Sequence, residues 1–259
     1  MQTRLTMSYK AKKIVAIGGG EIGSAGAPVE TTAIDREIIR LTGKKSPRVL
    51  FIPTASSDSD GYYETMQKHY EKRLGTKLSV LRLIKDGLSP AEIKRKVFSA
   101  DAIYVGGGNT LKMMRIWKSN GLDKILKQAL NKGIVLAGLS AGSICWFRHG
   151  ASDSRKFQKA DASLIRVTGL GFIPATHSPH YDVEKGRSAG LKKVMRKTPG
   201  VAIAIDNCCA IEIIDETYRV LSSKSGAKAY KTYWKKGLYH EEELPKQKTF
   251  KPLVDLLAK

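Results

Sequence analysis

The chain has 259 residues, 42% hydrophobic and 27% charged, with 45 Lys and Arg against 24 Asp and Glu for a net charge of +21. That composition excludes a disordered chain, and a chain this long hides about three quarters of its unfolded surface in one large domain or two small ones. No apolar run approaches the ~20 residues a membrane helix needs, which excludes a helical membrane span.

The predicted elements alternate. Ile14–Gly19 (IVAIGG) is a β-branched run ending in glycines and predicts a strand. Between Glu30 and Leu41, Ile34, Ile38 and Leu41 fall at helical spacing before Gly43 and Pro47 interrupt. Val49–Ala55 predicts a second buried strand, Tyr62–Leu74 a helix and Leu78–Leu83 a strand. Ser89-Pro90 with Glu92 reads as a helix start, with Ser as cap and Pro at the first helical position. AIYV, ending at Val105, predicts a strand, Thr110–Trp117 and Leu122–Leu130 helices, and Ile134–Gly138 another strand. This alternation implies βαβ units and a mostly parallel sheet. Beyond Arg166 the segments VAIAID, AIEIID, YRVLSS and KAYKTYW predict strands and hairpins, expected to complete the same sheet and add an antiparallel edge. With no repeat, linker or low-complexity segment, residues 11–259 are expected to form a single α/β domain and residues 1–10 a disordered lead-in.

The N-terminal segment MQTRLTMSYKAKK lacks the apolar stretch of a secretory signal, and the three cysteines, with Cys208 and Cys209 adjacent, give neither a disulfide framework nor a zinc spacing. A reducing cytoplasm is the expected compartment. The basic residues are spread along the chain without an RNP, zinc-finger or aromatic-interleaved motif, so they read as a solvated surface and nucleic acid is not an expected partner. The alternative is a non-catalytic module that uses the +21 charge to bind a polyanion.

The sharpest local signal is GLSAGS, Gly138 to Ser143, directly after a strand. It fits G-x-S-x-G, in which a serine sits on a tight strand-to-helix turn, small neighbours prevent a backbone clash, and the next N–H (here Ala141) faces the carbonyl under attack. A serine needs a base, and there are five histidines. His69 and His240 lie in charged stretches and read as surface residues; His149 reads as the far end of the helix that begins at the elbow. His177 and His180 both fall in GFIPATHSPHYD, where a loop can carry a base over a strand's carboxyl end. The acids that could orient it are Asp153, Asp161 and Asp182, and a Ser…Asp…His order selects one of the first two. GGGNT, Gly106 to Thr110, is a second glycine turn whose free N–H groups suit an anion or oxyanion. Gly18, Gly20 and Gly23 match a dinucleotide fingerprint by letters only, since the next strand begins near Val49 and no acid ends it. No metal or organic cofactor is expected.

Together AIYVGGGNT, GLSAGS and GFIPATHSPHYD, with the flanking FIPTAS and AIDNCCAIEI, resemble the dipeptidase E / cyanophycinase family of serine peptidases, and the bandwidth of the likeness runs from about Lys13 to Trp234. Among relatives the chain is most similar to the bacterial peptidase E-like branch. The resemblance implies a flavodoxin-like three-layer α/β sandwich with a mostly parallel sheet, related to class I glutamine amidotransferases, with serine at the nucleophile elbow. It implies Ser140 as nucleophile, His180 rather than His177 as base, Asp153 as the triad acid with Asp161 in reserve, and the N–H groups of Gly108 and Ala141 as oxyanion donors. Asn109 and Asp206 would be substrate-binding positions, Asp206 toward a substrate amine. The implied activity is hydrolysis of small peptides through an acyl-enzyme. Family members favour an acidic residue before the scissile bond, which calls for a cationic pocket; Arg148, Arg155 and Arg187 lie near the motifs. Paired surface strands near the C-terminus would suit a homodimer.

Overall fold

A computed structural model describes residues 10–259; all of the expected lead-in except Lys10 lies outside the described residues. The first half alternates as the periodicity predicts: β1 (Lys13–Ile17), α1 (Thr32–Leu41), β2 (Arg48–Ile52), α2 (Asp60–Met66), β3 (Lys77–Val80), α3 (Pro90–Ser99), β4 (Ala102–Val105), α4 (Thr110–Ser119), α5 (Leu122–Asn131) and β5 (Val135–Leu139). After a single helical turn, α6 (Ala141–Ile144), come β6 (Phe147–Ser152), β7 (Ile165–Thr168), β8 (Ile173–Ser178), α7 (Arg187–Arg196), β9 (Val201–Ile205), β10 (Cys209–Ile214), β11 (Thr217–Ser222), β12 (Ala229–Lys235), β13 (Leu238–Leu244), β14 (Lys251–Pro252) and α8 (Leu253–Leu257).

An eight-stranded sheet runs β14-β11-β10-β1-β5-β4-β2-β3. Its β1, β5, β4, β2 and β3 are parallel, and β10, β11 and β14 add the antiparallel edge. The run β3-β2-β4-β5 follows the flavodoxin order, with the N-terminal strand β1 filling the position beside β5. The central strands are covered on both faces, as continuous apolar runs such as AIYV require. Val15, Val49, Phe51 and Tyr104 face Ile34 and Ile38 of α1 and Met66 of α2. Ile14, Leu50, Ile103 and Leu136 face the other way, toward α3, α4 and α5. Local chemistry fixes the ends. The Ser89 hydroxyl accepts the Glu92 N–H (3.3 Å) while the Glu92 carboxylate accepts the Ser89 N–H (2.9 Å), the reciprocal cap expected from Ser-Pro-x-Glu.

The later strands depart from expectation. Only β10, β11 and β14 join the first sheet; the others form a second sheet of six strands, β13-β12-β9-β8-β6-β7. The cause lies in residue size along β9. Ile203 and Ile205 pack into the main core, while the intervening Ala202 and Ala204 leave room for Leu191 and Met195 of α7 on the outer face. A strand with one bulky and one small buried face lies between a sheet and a helix, so the second sheet stacks on the first rather than extending it. Among the described residues no helix is long and apolar enough to cross a membrane.

Candidate active site

The carboxyl ends of β1, β4 and β5 converge, the edge at which parallel α/β sheets hold their ligands. The hub is the glycine run that leaves β1. The Ser140 N–H donates to Ile17 O (3.1 Å), the His180 N–H to Gly18 O (3.2 Å) and the Cys208 N–H to Gly19 O (2.9 Å), while Gly19 and Asn207 form a parallel bridge. The letters that match a nucleotide fingerprint therefore serve as the post to which three separate loops are tied.

Ser140 occupies a strained backbone, φ 58° and ψ −114°, between β5 and α6. Its flanking glycines are dictated by contact: a Cβ on Gly138 would lie 2.2 Å from Gly142 O, and one on Gly142 would lie 2.1 Å from Val105 O. The turn is thus closed on itself and pressed on β4. The Ala141 N–H, first in α6, has no acceptor within the helix and lies beside the serine.

His180 Nε2 lies 2.8 Å from Ser140 Oγ, and its Nδ1 lies 2.7 Å from Asn207 Oδ1. An amide oxygen only accepts, so Nδ1 carries the ring proton and Nε2 is the open acceptor for the serine O–H. The Asn207 N–H donates to Asp182 Oδ1 (2.9 Å), which fixes the loop that presents the amide. Gly19 makes this meeting possible, since a Cβ there would lie 2.0 Å from Asn207 Oδ1 and 2.4 Å from His180 Nδ1. A serine hydroxyl facing the unprotonated nitrogen of an oriented imidazole can be activated as a nucleophile.

Ser140, His180 and Asn207 open onto a cleft of about 540 Å³, whose walls include Gly107, Leu139, Tyr62 and Glu21. Tyr62 Oη accepts the Gly107 N–H (3.2 Å), and burial pushes its phenol up to about 12, so the O–H stays protonated.

The acids expected at the base are elsewhere. Asp153 lies 4.0 Å from Arg187 in a turn that follows β6, and Asp161 is an exposed partner of Lys159 at 3.8 Å; the position at His180 Nδ1 is taken by Asn207 instead. Asn109 caps α4, accepting the Lys112 N–H (3.0 Å) and donating to Ser154 O (3.2 Å), so both ends of its amide are engaged. Asp206 is buried behind Asn207, accepts the Lys228 N–H (2.9 Å), and is pushed up to about 6 by burial, with Asp182 adding repulsion. Neither Asn109 nor Asp206 lines the cleft. Arg187 is buried on Glu184 and Ala151 O (3.2 Å), and Arg148 and Arg155 are exposed away from the cleft walls.

Three other histidines differ from expectation. His69 is 2% exposed rather than on the surface: its Nε2 meets Asp35 Oδ2 (2.8 Å), a carboxylate that also accepts the hydroxyls of Thr31 and Tyr70 (both 2.7 Å). His149 sits on strand β6, because α6 ends after one turn. His177 is fully buried, with Nδ1 donating to Ile203 O (2.8 Å) and Nε2 facing Ser143 Oγ (2.8 Å). Asn207, the residue that sequence reasoning missed, lies in the AIDNCC segment already singled out; an Asn after a strand ordinarily reads as a turn former.

The model of peptidase family S51 matches residues 10–221. The chain is similar to the uncharacterized peptidase YgaJ of Bacillus subtilis strain 168, 38% identical over 222 residues that cover 85% of this chain and 91% of that protein. It is similar to peptidase E of Streptomyces coelicolor at 27% identity over 137 residues, 52% of this chain and 51% of that one. Among solved structures, a peptidase from an acI-B1 Actinobacterium shares the fold, with a TM-score of 0.71, 21% identity, and coverage of 94% of this chain and 98% of its own.

Proposed function

The chain belongs to peptidase family S51 and is a serine peptidase, and from that premise we propose that it hydrolyses short peptides through Ser140, His180 and Asn207. The observation that carries this reading is the continuous relay from Ser140 Oγ to His180 Nε2 (2.8 Å) and from Nδ1 to Asn207 Oδ1 (2.7 Å) on the wall of the cleft.

In the proposed reaction His180 Nε2 takes the Ser140 proton as Oγ attacks the peptide carbonyl. The oxyanion is received by the N–H of Ala141 and the N–H of Gly108; the Gly107 N–H is already engaged by Tyr62 Oη. The imidazolium then protonates the leaving amine, and water, deprotonated by the same nitrogen, releases the acyl group. Asn207 holds the tautomer and ring orientation without adding charge, the role that Asn plays in Cys-His-Asn peptidases. The cleft of about 540 Å³ suits a di- or tripeptide, which supports an exopeptidase reading. Cleavage of Asp-X peptides, implied by the resemblance, finds no support in the cleft, since among its described lining residues there is no Lys or Arg to receive a carboxylate. Three free buried cysteines support a reducing compartment, for which we propose the cytoplasm.

The test incubates wild-type and Ser140→Ala protein with Asp-Leu, isoAsp-Leu, Ala-Leu and Arg-Leu and follows free leucine, alongside labelling by a fluorophosphonate. Release and labelling that both vanish in Ser140→Ala, at unchanged melting temperature, support the reading. Leucine release at the wild-type rate by the variant would remove Ser140 from the reaction.

A further inference from the structure

The cleft is electrostatically opposite to the molecule that surrounds it. The chain carries +21, yet among the described residues lining the cleft there is no Lys or Arg, and Glu21 is the sole carboxylate. The groups just behind the walls keep the same sign. Glu21 is held by Glu30, whose Oε2 accepts the Glu21 N–H (3.0 Å) and whose N–H donates to Glu21 O (2.7 Å). Asp182 sits under Asn207, and Asp206 is buried behind it. Nearby cations are turned away: Lys228 pairs with Glu243 (2.6 Å), Lys112 donates to Ser57 (2.7 Å), and Arg187 is buried on Glu184. Lys224 reaches only the outer side of Glu30, at 3.9 Å.

A peptide seated with its carbonyl at Ser140 therefore meets one fixed full charge on the cleft wall, and that charge is negative. A carboxylate on the substrate would be repelled by Glu21, which stands exposed on the cleft wall, so the repulsion weakens with salt. A cation would be attracted there.

Resting on the serine peptidase reading above, we propose that this cleft takes peptides presenting a cationic nitrogen beside the scissile bond, and that Glu21 is the specificity-determining residue that receives it. The nitrogen has two chemical sources, the free α-ammonium of a short peptide or the side chain of an N-terminal Lys or Arg. Glu21 lies on the wall contributed by the segment leaving β1, directly after the glycines that tie the loops of Ser140, His180 and Asn207 together, and its backbone is pinned to Glu30.

Binding is measured on Ser140→Ala protein, where turnover plays no part, by calorimetry with Arg-Leu, Ala-Leu, N-acetyl-Ala-Leu and Asp-Leu, and again with Glu21→Gln added. The proposal expects Arg-Leu or Ala-Leu to bind more tightly than Asp-Leu, with Glu21→Gln narrowing that gap about tenfold and high salt narrowing it in the parent. A loss on acetylation that is itself abolished by Glu21→Gln assigns the α-ammonium; a Glu21-dependent advantage of Arg-Leu over Ala-Leu assigns the side chain. Tightest binding of Asp-Leu, or a preference that Glu21→Gln leaves unchanged in a protein of unaltered melting temperature, overturns the proposal. Loss of Ser140-dependent hydrolysis and labelling would instead strike the peptidase mechanism and leave these affinities standing.

Discussion

Asn207 Oδ1 stands 2.7 Å from His180 Nδ1, at the position where a serine hydrolase commonly carries a carboxylate. The amide selects the ring tautomer but cannot neutralise the imidazolium that forms during proton transfer, so orientation here is separated from charge stabilisation. The acid bonded to this pair, Asp182, acts on the Asn207 backbone N–H rather than on the ring.

Replacement at this position separates the two effects. Asn207→Ala should lower kcat/KM by about 10²-fold, because the ring loses the acceptor that fixes its tautomer. Asn207→Asp restores an acceptor and adds charge, which favours the protonated ring, so it should retain activity while moving the acid limb of the kcat/KM profile to higher pH. Asp153→Asn should change kcat/KM little, since Asp153 faces Arg187 at 4.0 Å. If Asp153→Asn were the damaging change and Asn207→Ala harmless, the assignment of the orienting group would be wrong.

Gly19 is the steric condition for that contact. With no space for a Cβ between Asn207 Oδ1 (2.0 Å) and His180 Nδ1 (2.4 Å), Gly19→Ala must push the two side chains apart. Activity should fall at least as far as in Asn207→Ala, about 10²-fold, and a second substitution at Asn207 should add little because the contact is already lost. Steady-state kinetics of the single and double variants decide this; fully additive losses would mean that Gly19 acts through something other than the His180–Asn207 pair.

Much of this was legible before folding, and the exceptions share a cause. Short-range signals carried through: the Ser-Pro-x-Glu cap at Ser89, the helical stripe of Ile34, Ile38 and Leu41, and the glycine-flanked Ser140 all depend on neighbours within a few positions. The second sheet was hidden because β9 is an apolar run buried at every position, which tells that both its faces are covered but not which layer covers each. His69 read as exposed because its charged neighbours Lys68 and Lys72 are truly outside, while the ring itself points to Asp35, distant in sequence. Asn207 was missed for the same reason: its partner His180 comes from another strand's end, and the two loops meet through the pairing of β8 with β9 and through the hub at Gly18–Gly20.

A second serine–histidine pair lies directly beneath the first and gives the fold a pH signature. Ser143 Oγ stands between His177 Nε2 (2.8 Å) and the carbonyl oxygen of the strained Ser140 (2.7 Å), and the His177 ring stacks on Phe147 at 4.6 Å. Burial lowers His177 to about 3, against an ordinary value near 6.5, so the ring is neutral across the physiological range. With the folded value below the unfolded one, the unfolded chain binds the extra proton first as pH falls. The stabilisation is therefore complete above about pH 6.5 and is lost progressively from there toward pH 3. His177→Gln keeps polar atoms near Ser143 and Ile203 but cannot titrate, so it should be less stable than wild type at pH 7.5 while losing less melting temperature on going to pH 4.5. Thermal melts of both proteins at the two pH values provide the measurement. Equal losses would show that His177 is not the group whose protonation opposes folding, and that the pair beneath the elbow is not neutral and buried as its hydrogen bonds to Ile203 and Ser143 require.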